Sequence, residues 1–349
     1  MKNAFNKRMY IVLISSLLLA GCGSNKAEEV SSTTESTGEI QERKFKLGVG
    51  LNENHSEGLG AKKFKEIVEE KSEGKFDVSL YFNNQLGDDL QTVNNLKAGT
   101  QELGVISTSP LTSMVKEFGV FDLPFAFNTE EEAYAVLDGS VGTQLLEKLP
   151  DQKLIGLGYW ENGFRNMTNS KHPIETLEDF KGLKIRTMPN EVHLDVFNKL
   201  GSNPLPMAFS EVFTAMETKT IDGQENPLPT IELNKFNEVQ TYLSMTNHVY
   251  TPFIFMASEK FWNELSEDER TIIQEAVIES GKYQREQNLE QNKASLEKLK
   301  ELGMKVNEFS DEEKEKVKEA IAPVIEKHSA QIGQELVDEM YAEIEKMRQ

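Results

Sequence analysis

Between residues 45 and 107 the apolar pattern switches back and forth between two periods, and that alternation does most to narrow the folds open to this chain. Phe45 to Gly50 reads as a short strand. Gly58 to Ser72 sets Ala61, Phe64, Ile67 and Val68 on one face of an amphipathic helix, and Phe76 to Phe82 reads as a second strand. A strand, a covering helix and a second strand form a crossover unit, which makes the two strands parallel neighbours. The spacing then predicts a helix from about Asp88 to Lys97, stopped at Gly99, and an apolar strand from Leu103 to Ser107. Strands at Leu154 to Trp160 and Leu183 to Arg186, with helices at Glu191 to Leu200 and Ser210 to Thr218, continue the alternation. The expected fold class is α/β.

The N-terminus has a different character. Lys2, Lys7 and Arg8 precede a short apolar run from Met9 to Ala20, the pattern of a secretory signal and too short for an ordinary membrane span. Leu19-Ala20-Gly21-Cys22 resembles a bacterial lipobox, which implies that residues 1–21 are removed and that Cys22 carries a diacylglyceryl thioether holding the protein at the membrane. The expected location is therefore extracytoplasmic and lipid-anchored. Residues 22–43 are polar, with almost no large apolar side chain, and read as a flexible tether. Cys22 is the only cysteine, so disulfides and thiol redox chemistry are excluded. The chain's net charge is −20, and loss of a leader that carries three basic residues and no acid takes it to −23. Such a surface repels nucleic acid and anionic lipid, and an anionic ligand would need buried positive charge working against that field.

The remaining roughly 300 residues exceed one typical domain and suggest two lobes. Two serines announce the C-terminal helices: Ser266 with Glu269, and Ser310 with Glu313, both spaced as capping boxes. After Ser266 the helical pattern runs to Leu302 with only Gly281 inside it, giving one very long helix or two abutting ones. Such a helix could brace both lobes, line a dimer seam, or simply lie on the surface.

Catalytic signatures are missing: HExxH, GxSxG, GxxxxGK[ST] and GxGxxG do not occur. The five histidines lack metal-ligand spacing, and Asp88-Asp89 before a helix reads as an N-cap. No enzyme activity, cofactor or metal is expected. What remains are arginines in apolar surroundings: Arg165 just beyond the strand at Trp160, and Arg186 on the strand Lys184-Ile185-Arg186. A guanidinium presents paired donors that match a carboxylate, so the two could clamp an organic acid, and either could equally be a structural ion-pair partner.

Five segments in order, Gln85-Leu86-Gly87-Asp88-Asp89, Phe121-Asp122-Leu123-Pro124-Phe125, Gly182 to Arg186, Pro204 to Phe213 and Ile221 to Pro227, resemble the substrate-binding subunits of tripartite ATP-independent periplasmic (TRAP) transporters, the DctP-like family. The resemblance covers nearly the whole mature chain. It implies a two-lobe periplasmic-binding-protein-like fold with hinge strands and a long helix spanning both lobes. The division expected is lobe I at 44–163 and 252–291, and lobe II at 164–251 and 292–349. It also implies an acid ligand in the cleft and delivery to small and large membrane subunits. By the same resemblance Arg186 makes the carboxylate salt bridge, Arg165 is the second arginine, Asn226 is the motif asparagine, and Phe209 packs on the ligand.

The chain departs from sialic-acid-binding members at Ser107, where they carry a glutamate, and at Gly50, where they carry an asparagine. Sialic acid is therefore disfavoured, and a sugar acid such as a hexuronate, or a C4-dicarboxylate, is expected. Ser107 offers a small hydroxyl, and Asn54, His55 and Glu161 lie on loops at strand ends where sugar hydroxyls could be read. A surface receptor that senses the same ligand with the same fold is the alternative reading.

Overall fold

The computed structural model describes residues 39–349, which pack as one unit; the leader, Cys22 and most of the tether expected from the sequence lie outside the described residues. In chain order the first elements are β1 (Arg43–Val49), α1 (Ser56–Lys71), β2 (Phe76–Tyr81), α2 (Asp89–Ala98) and β3 (Leu103–Ser107). β1 pairs in parallel with both β2 and β3, as the crossover pattern requires. The predicted face of α1, Ala61, Phe64, Ile67 and Val68, is buried in one apolar cluster with Phe45, Leu47 and Phe76. Asp88 caps α2 by accepting from the Gln91 N–H at 3.0 Å, and Gly99 ends it at φ 68°, a left-handed value that glycine adopts without Cβ strain.

Next come α3 (Glu130–Leu137), α4 (Ser140–Leu146) and β4 (Leu154–Asn169), followed by β5 (Lys184–Thr187), α5 (Glu191–Lys199), β6 (Asn203–Pro206), α6 (Val212–Glu217), β7 (Gly223–Asn226) and α7 (Leu228–Leu233). The chain continues through β8 (Tyr242–Ser258), α8 (Glu259–Asn263), α9 (Glu267–Glu301), β9 (Lys305–Glu308), α10 (Asp311–Ile332) and α11 (Gln334–Arg348). The sheet order is β2-β1-β3-β8-β4-β7-β5-β6, with β9 joined to the start of β8. The parallel group β1–β3 forms one half and the parallel group β5–β7 the other.

Between them run β4 and β8, 16 and 17 residues long and antiparallel to each other. β4 continues nine residues past the expected end at Trp160 because its polar side chains are satisfied across the sheet instead of by water. Their ladder slips register at Gly156/Gly158, Glu161/Gly163 and Arg165/Met167. Gly163 at φ 116° and Asn247 at φ 43° stand at these irregularities, where the sheet passes from one half to the other.

α9 is a single helix. Ser266 and Glu269 form both halves of the expected capping box. Near its start Ile273, Ala276 and Val277 pack with Phe64 and Trp160, and near its end Leu299 packs with Met216 and Ile231, so one helix braces both halves. Gly281 does not break it: a Cβ there would stand 3.0 Å from the Trp160 ring, and one on Gly60 of α1 would stand 2.8 Å away, so the two glycines let both helices close on that indole. The second expected box is half made. Ser310 accepts from the Glu313 N–H at 3.2 Å, but Glu313 turns away to accept from the Leu177 N–H at 2.8 Å. α10 places Val317 and Ile321 in the cluster of Ile185 and Val196, on the β5–β7 side. α11 differs from the expected division, because Val337, Met340 and Ile344 share a cluster with Ala133, Val136 and Leu145 of α3 and α4. Among the described residues no helix is long and apolar enough to cross a membrane.

Candidate ligand-binding site

Parallel strands from both halves deliver their carboxyl ends to one cleft, the position where open α/β sheets bind ligands. About 410 Å³ of open space lies between its walls, with solvent at the mouth included. One wall carries Gly50, Glu57, Asn84, Asp89 and Ser107; the other carries Arg165, Arg186, Met188, Phe209 and Asn226.

Arg186 lies on β5, two residues before Met188, and is only 2% exposed. Its Nε and Nη2 both donate to the Met207 carbonyl, at 3.1 and 2.8 Å, which fixes the plane of the guanidinium. Among the described residues Nη1 has no acceptor, so this edge of the fork faces the cleft. The ring of Phe209 lies 5.9 Å from the guanidinium carbon, within cation–π range. Burial lowers the Arg186 pKa to about 10, with Glu225 opposing and Arg165 adding to the effect; the group remains protonated at neutral pH.

Arg165 is also buried but already engaged. Its Nε and Nη2 grip both carboxylate oxygens of Glu225, Nη2 also donates to the Glu225 carbonyl at 2.6 Å, and Nη1 reaches the Thr251 hydroxyl at 3.3 Å. One of its five N–H groups is left for the cleft. Burial works to raise the Glu225 pKa, but the Arg165 charge together with the hydrogen bonds from His248 and Arg165 outweighs it and holds the carboxylate well below its usual range. Asn226 donates to Gln224, whose own amide donates to Thr168 at 2.9 Å, so a chain of amides sets its orientation.

Of the residues singled out in the sequence, the cleft gathers Arg186, Arg165, Asn226, Phe209 and Ser107. It does not gather the other three. His55 is fully buried behind the wall, where Nδ1 accepts from the Glu57 N–H at 3.1 Å as the cap of α1 and Nε2 lies 3.3 Å from the Thr230 hydroxyl. Burial pushes its pKa down to about 3 and keeps it neutral. Glu161 accepts from the Tyr134 hydroxyl on the far face of β4, while its neighbour Asn162 faces the cleft, as strand alternation dictates. Burial raises the Glu161 pKa to about 8. Asn54 is exposed, with its carbonyl accepting from Gln291 at 2.7 Å.

These features belong to a known group. The chain matches bacterial extracellular solute-binding protein, family 7, across residues 47–331. It belongs to that family. Relatives of this family 7 chain include the C4-dicarboxylate-binding protein DctB of Bacillus subtilis, 35% identical over 297 residues and 85% of each chain. Another is the 2,3-diketo-L-gulonate-binding periplasmic protein YiaO of Escherichia coli, 33% identical over 78% of this chain and 83% of the relative. Its fold is similar to that of the sugar-acid-binding protein of Advenella mimigardefordensis in complex with galactonate, with a TM-score of 0.87, 49% identity, and coverage of 88% of this chain and 99% of the other. A TRAP periplasmic solute-binding protein of Sulfurospirillum deleyianum with bound succinate gives a TM-score of 0.83 at 33% identity, covering 87% of this chain and 99% of the other. The family 7 chain is a two-lobe TRAP solute-binding receptor for small organic acids, not an enzyme.

The family 7 cleft holds side chains that sequence reasoning missed. Asp89 was visible only as the second residue of Asp88-Asp89: Asp88 takes the capping role, and Asp89 lines the cleft. Burial lifts its pKa to about 7, with Arg186 opposing. Glu57 accepts from the N–H groups of Leu51 at 2.8 Å and Gly50 at 3.3 Å, yet burial still lifts its pKa to about 8. No motif marked it, because an acid in the first turn of a helix ordinarily signals only the dipole.

Proposed function

We propose that this receptor takes the carboxylate of its ligand on Arg186, with Asn226, the remaining N–H of Arg165 and the Phe209 ring completing the contact, and that the two lobes close over it. The supporting observation is Arg186 itself: a buried cation, oriented by Met207, whose remaining donors meet no protein acceptor. A buried charge without a protein partner is costly, and an incoming carboxylate would supply the missing partner. The lobes in this reading are residues 44–163 with 252–291 and residues 164–251 with 292–333, the helix α11 packing back on the first. β4 and β8 act as the hinge, since their register slips concentrate where the chain crosses between halves. Contacts made only in the closed form shift the equilibrium toward closure.

Cys22, lipidated after removal of residues 1–21, would anchor the receptor outside the membrane through the tether, and the closed form would hand its solute to the small and large TRAP membrane subunits. Relatives of known ligand include both sugar-acid and C4-dicarboxylate binders, and both classes carry the carboxylate that Arg186 requires. The test is a thermal-shift screen of the mature chain against hexuronates, aldonates, C4-dicarboxylates and neutral sugars. A ligand at about 100 times its Kd should add about 2.7 kcal/mol to stability. A shift with an acid supports the clamp; a shift with neutral sugars alone would overturn it.

A further inference from the structure

We propose that Glu57 and Asp89 make the cleft selective for a hydroxylated monocarboxylate, an aldonate or a uronate, and turn away acids with a second carboxylate. The inference rests on Arg186 as the carboxylate site and concerns the opposite wall. There, oxygens from three separate segments converge beside Gly50: a Cβ at that position would stand 3.5 Å from Asn84 Oδ1, 3.9 Å from Asp89 Oδ1 and 4.0 Å from Glu57 Oε2. The absent side chain is what leaves room among them. Among the described residues the only cations lining the cleft are Arg165 and Arg186, and Glu225 neutralises the first. One free positive charge therefore serves one carboxylate. The other end of the ligand meets two carboxyl groups and an amide oxygen, and the amino end of α2 beside them is already capped by Asp88.

Hydroxyl groups can donate to such a wall; a carboxylate has no proton to give, so it is repelled by an ionised acid there and can be met only by the single O–H of a protonated one. Burial raises both acids toward neutrality at pH 7, but a neutral carboxyl still brings no positive charge to meet an anion. Like charges brought together in a partly desolvated cleft repel strongly, so even partial ionisation of the wall gives discrimination.

The probes are pairs that differ only in the far terminus: gluconate against glucarate, and galactonate against galactarate, with succinate as a short diacid. Titration calorimetry on the mature chain should show an aldonate binding at least about 30-fold more tightly than its aldarate and than succinate. Asp89→Asn should narrow that ratio by removing the ionisable group, and Glu57→Gln should narrow it further. Aldarates or succinate binding as tightly as the aldonates would overturn the selectivity while leaving the Arg186 clamp intact. An unchanged ratio in both variants would overturn the assignment to these residues. Acid binding that survives Arg186→Ala would instead overturn the underlying clamp.

Discussion

Arg186→Ala separates a ligand-binding charge from a structural one. Arg186 is 2% exposed, its guanidinium bonded to a single carbonyl and close enough to Arg165 to feel its repulsion. Burial holds its pKa at about 10, below the ordinary arginine value, so the folded state carries the charge at a penalty. That penalty is present throughout the range below pH 10, and at roughly 1.4 kcal/mol per pKa unit it comes to a few kcal/mol as an upper bound. Truncation removes the penalty but frees the Met207 carbonyl and leaves a cavity, so the melting temperature of the empty protein should move little. Binding should behave differently, since truncating one partner of a desolvated charge pair costs about 2–5 kcal/mol, which is about 30-fold in Kd even at the lower end. Calorimetry with the acid found in the thermal-shift screen, together with the melting curve without ligand, tests both parts. Wild-type affinity in the variant would refute the clamp, and a large loss of stability in the empty protein would show that Arg186 is chiefly structural.

The remaining expectations concern the scaffold. Glu225→Gln leaves Arg165 buried without its counter-charge, and should lower stability by about 3–5 kcal/mol in urea unfolding. Stability should also peak in mildly acidic buffer. Glu57, Asp89 and Glu161 have pKa values raised to about 8, 7 and 8, so the stability they contribute is lost progressively as pH rises from the ordinary carboxylate range, about 4, up to those values. His55, lowered to about 3, and Glu225, held well below its usual range, act in the other direction, but between about pH 4.5 and 6.5 the three acids outweigh the single histidine and Glu225 contributes only below about 4.5, so the net fall on the acid side begins below about pH 4.5. Melting curves from pH 3 to 9 (about 4.5 being the expected optimum) check this, and Glu161→Gln should flatten the fall between about pH 4.5 and 8 while leaving the acid side unchanged. Gly60→Val drives a side chain into the Trp160 ring and Gln284, and should cost at least about 1–3 kcal/mol, read as a lower melting temperature. Asn190→Ser keeps the cap of α5 but breaks the amide's bonds to Asp122 at 2.8 Å and to the Ser109 carbonyl at 3.1 Å; with Asp122 left short of a donor, stability should drop by about 1–3 kcal/mol in the same assay.

The parts of this fold legible in the sequence are those where one period governs. The strand–helix–strand units at residues 43–107 lie within two residues of their expected bounds, because each helix buries a single stripe and each strand a short apolar run. Reading failed where burial is polar. β4 looked finished at Trp160 because Glu161, Asn162, Arg165 and Asn166 resemble a loop; in the structure all four are buried, each with a side-chain bond to a tertiary partner that local pattern does not reveal. The same blindness governs the cleft. Arg186 could be picked out because a cation on a short apolar strand is conspicuous, whereas Glu57 and Asp89 sit in first helical turns, where acids are ordinary. What distinguishes them is that the loops after β1 and β2 fold back toward Gly50 and bring their oxygens together, a relation between residues 50, 57, 84 and 89 that exists only in three dimensions. A motif can therefore identify the residue that holds the ligand's charge, while the choice among ligands depends on side chains that the fold assembles from unremarkable positions, and the aldonate–aldarate comparison probes that second layer directly.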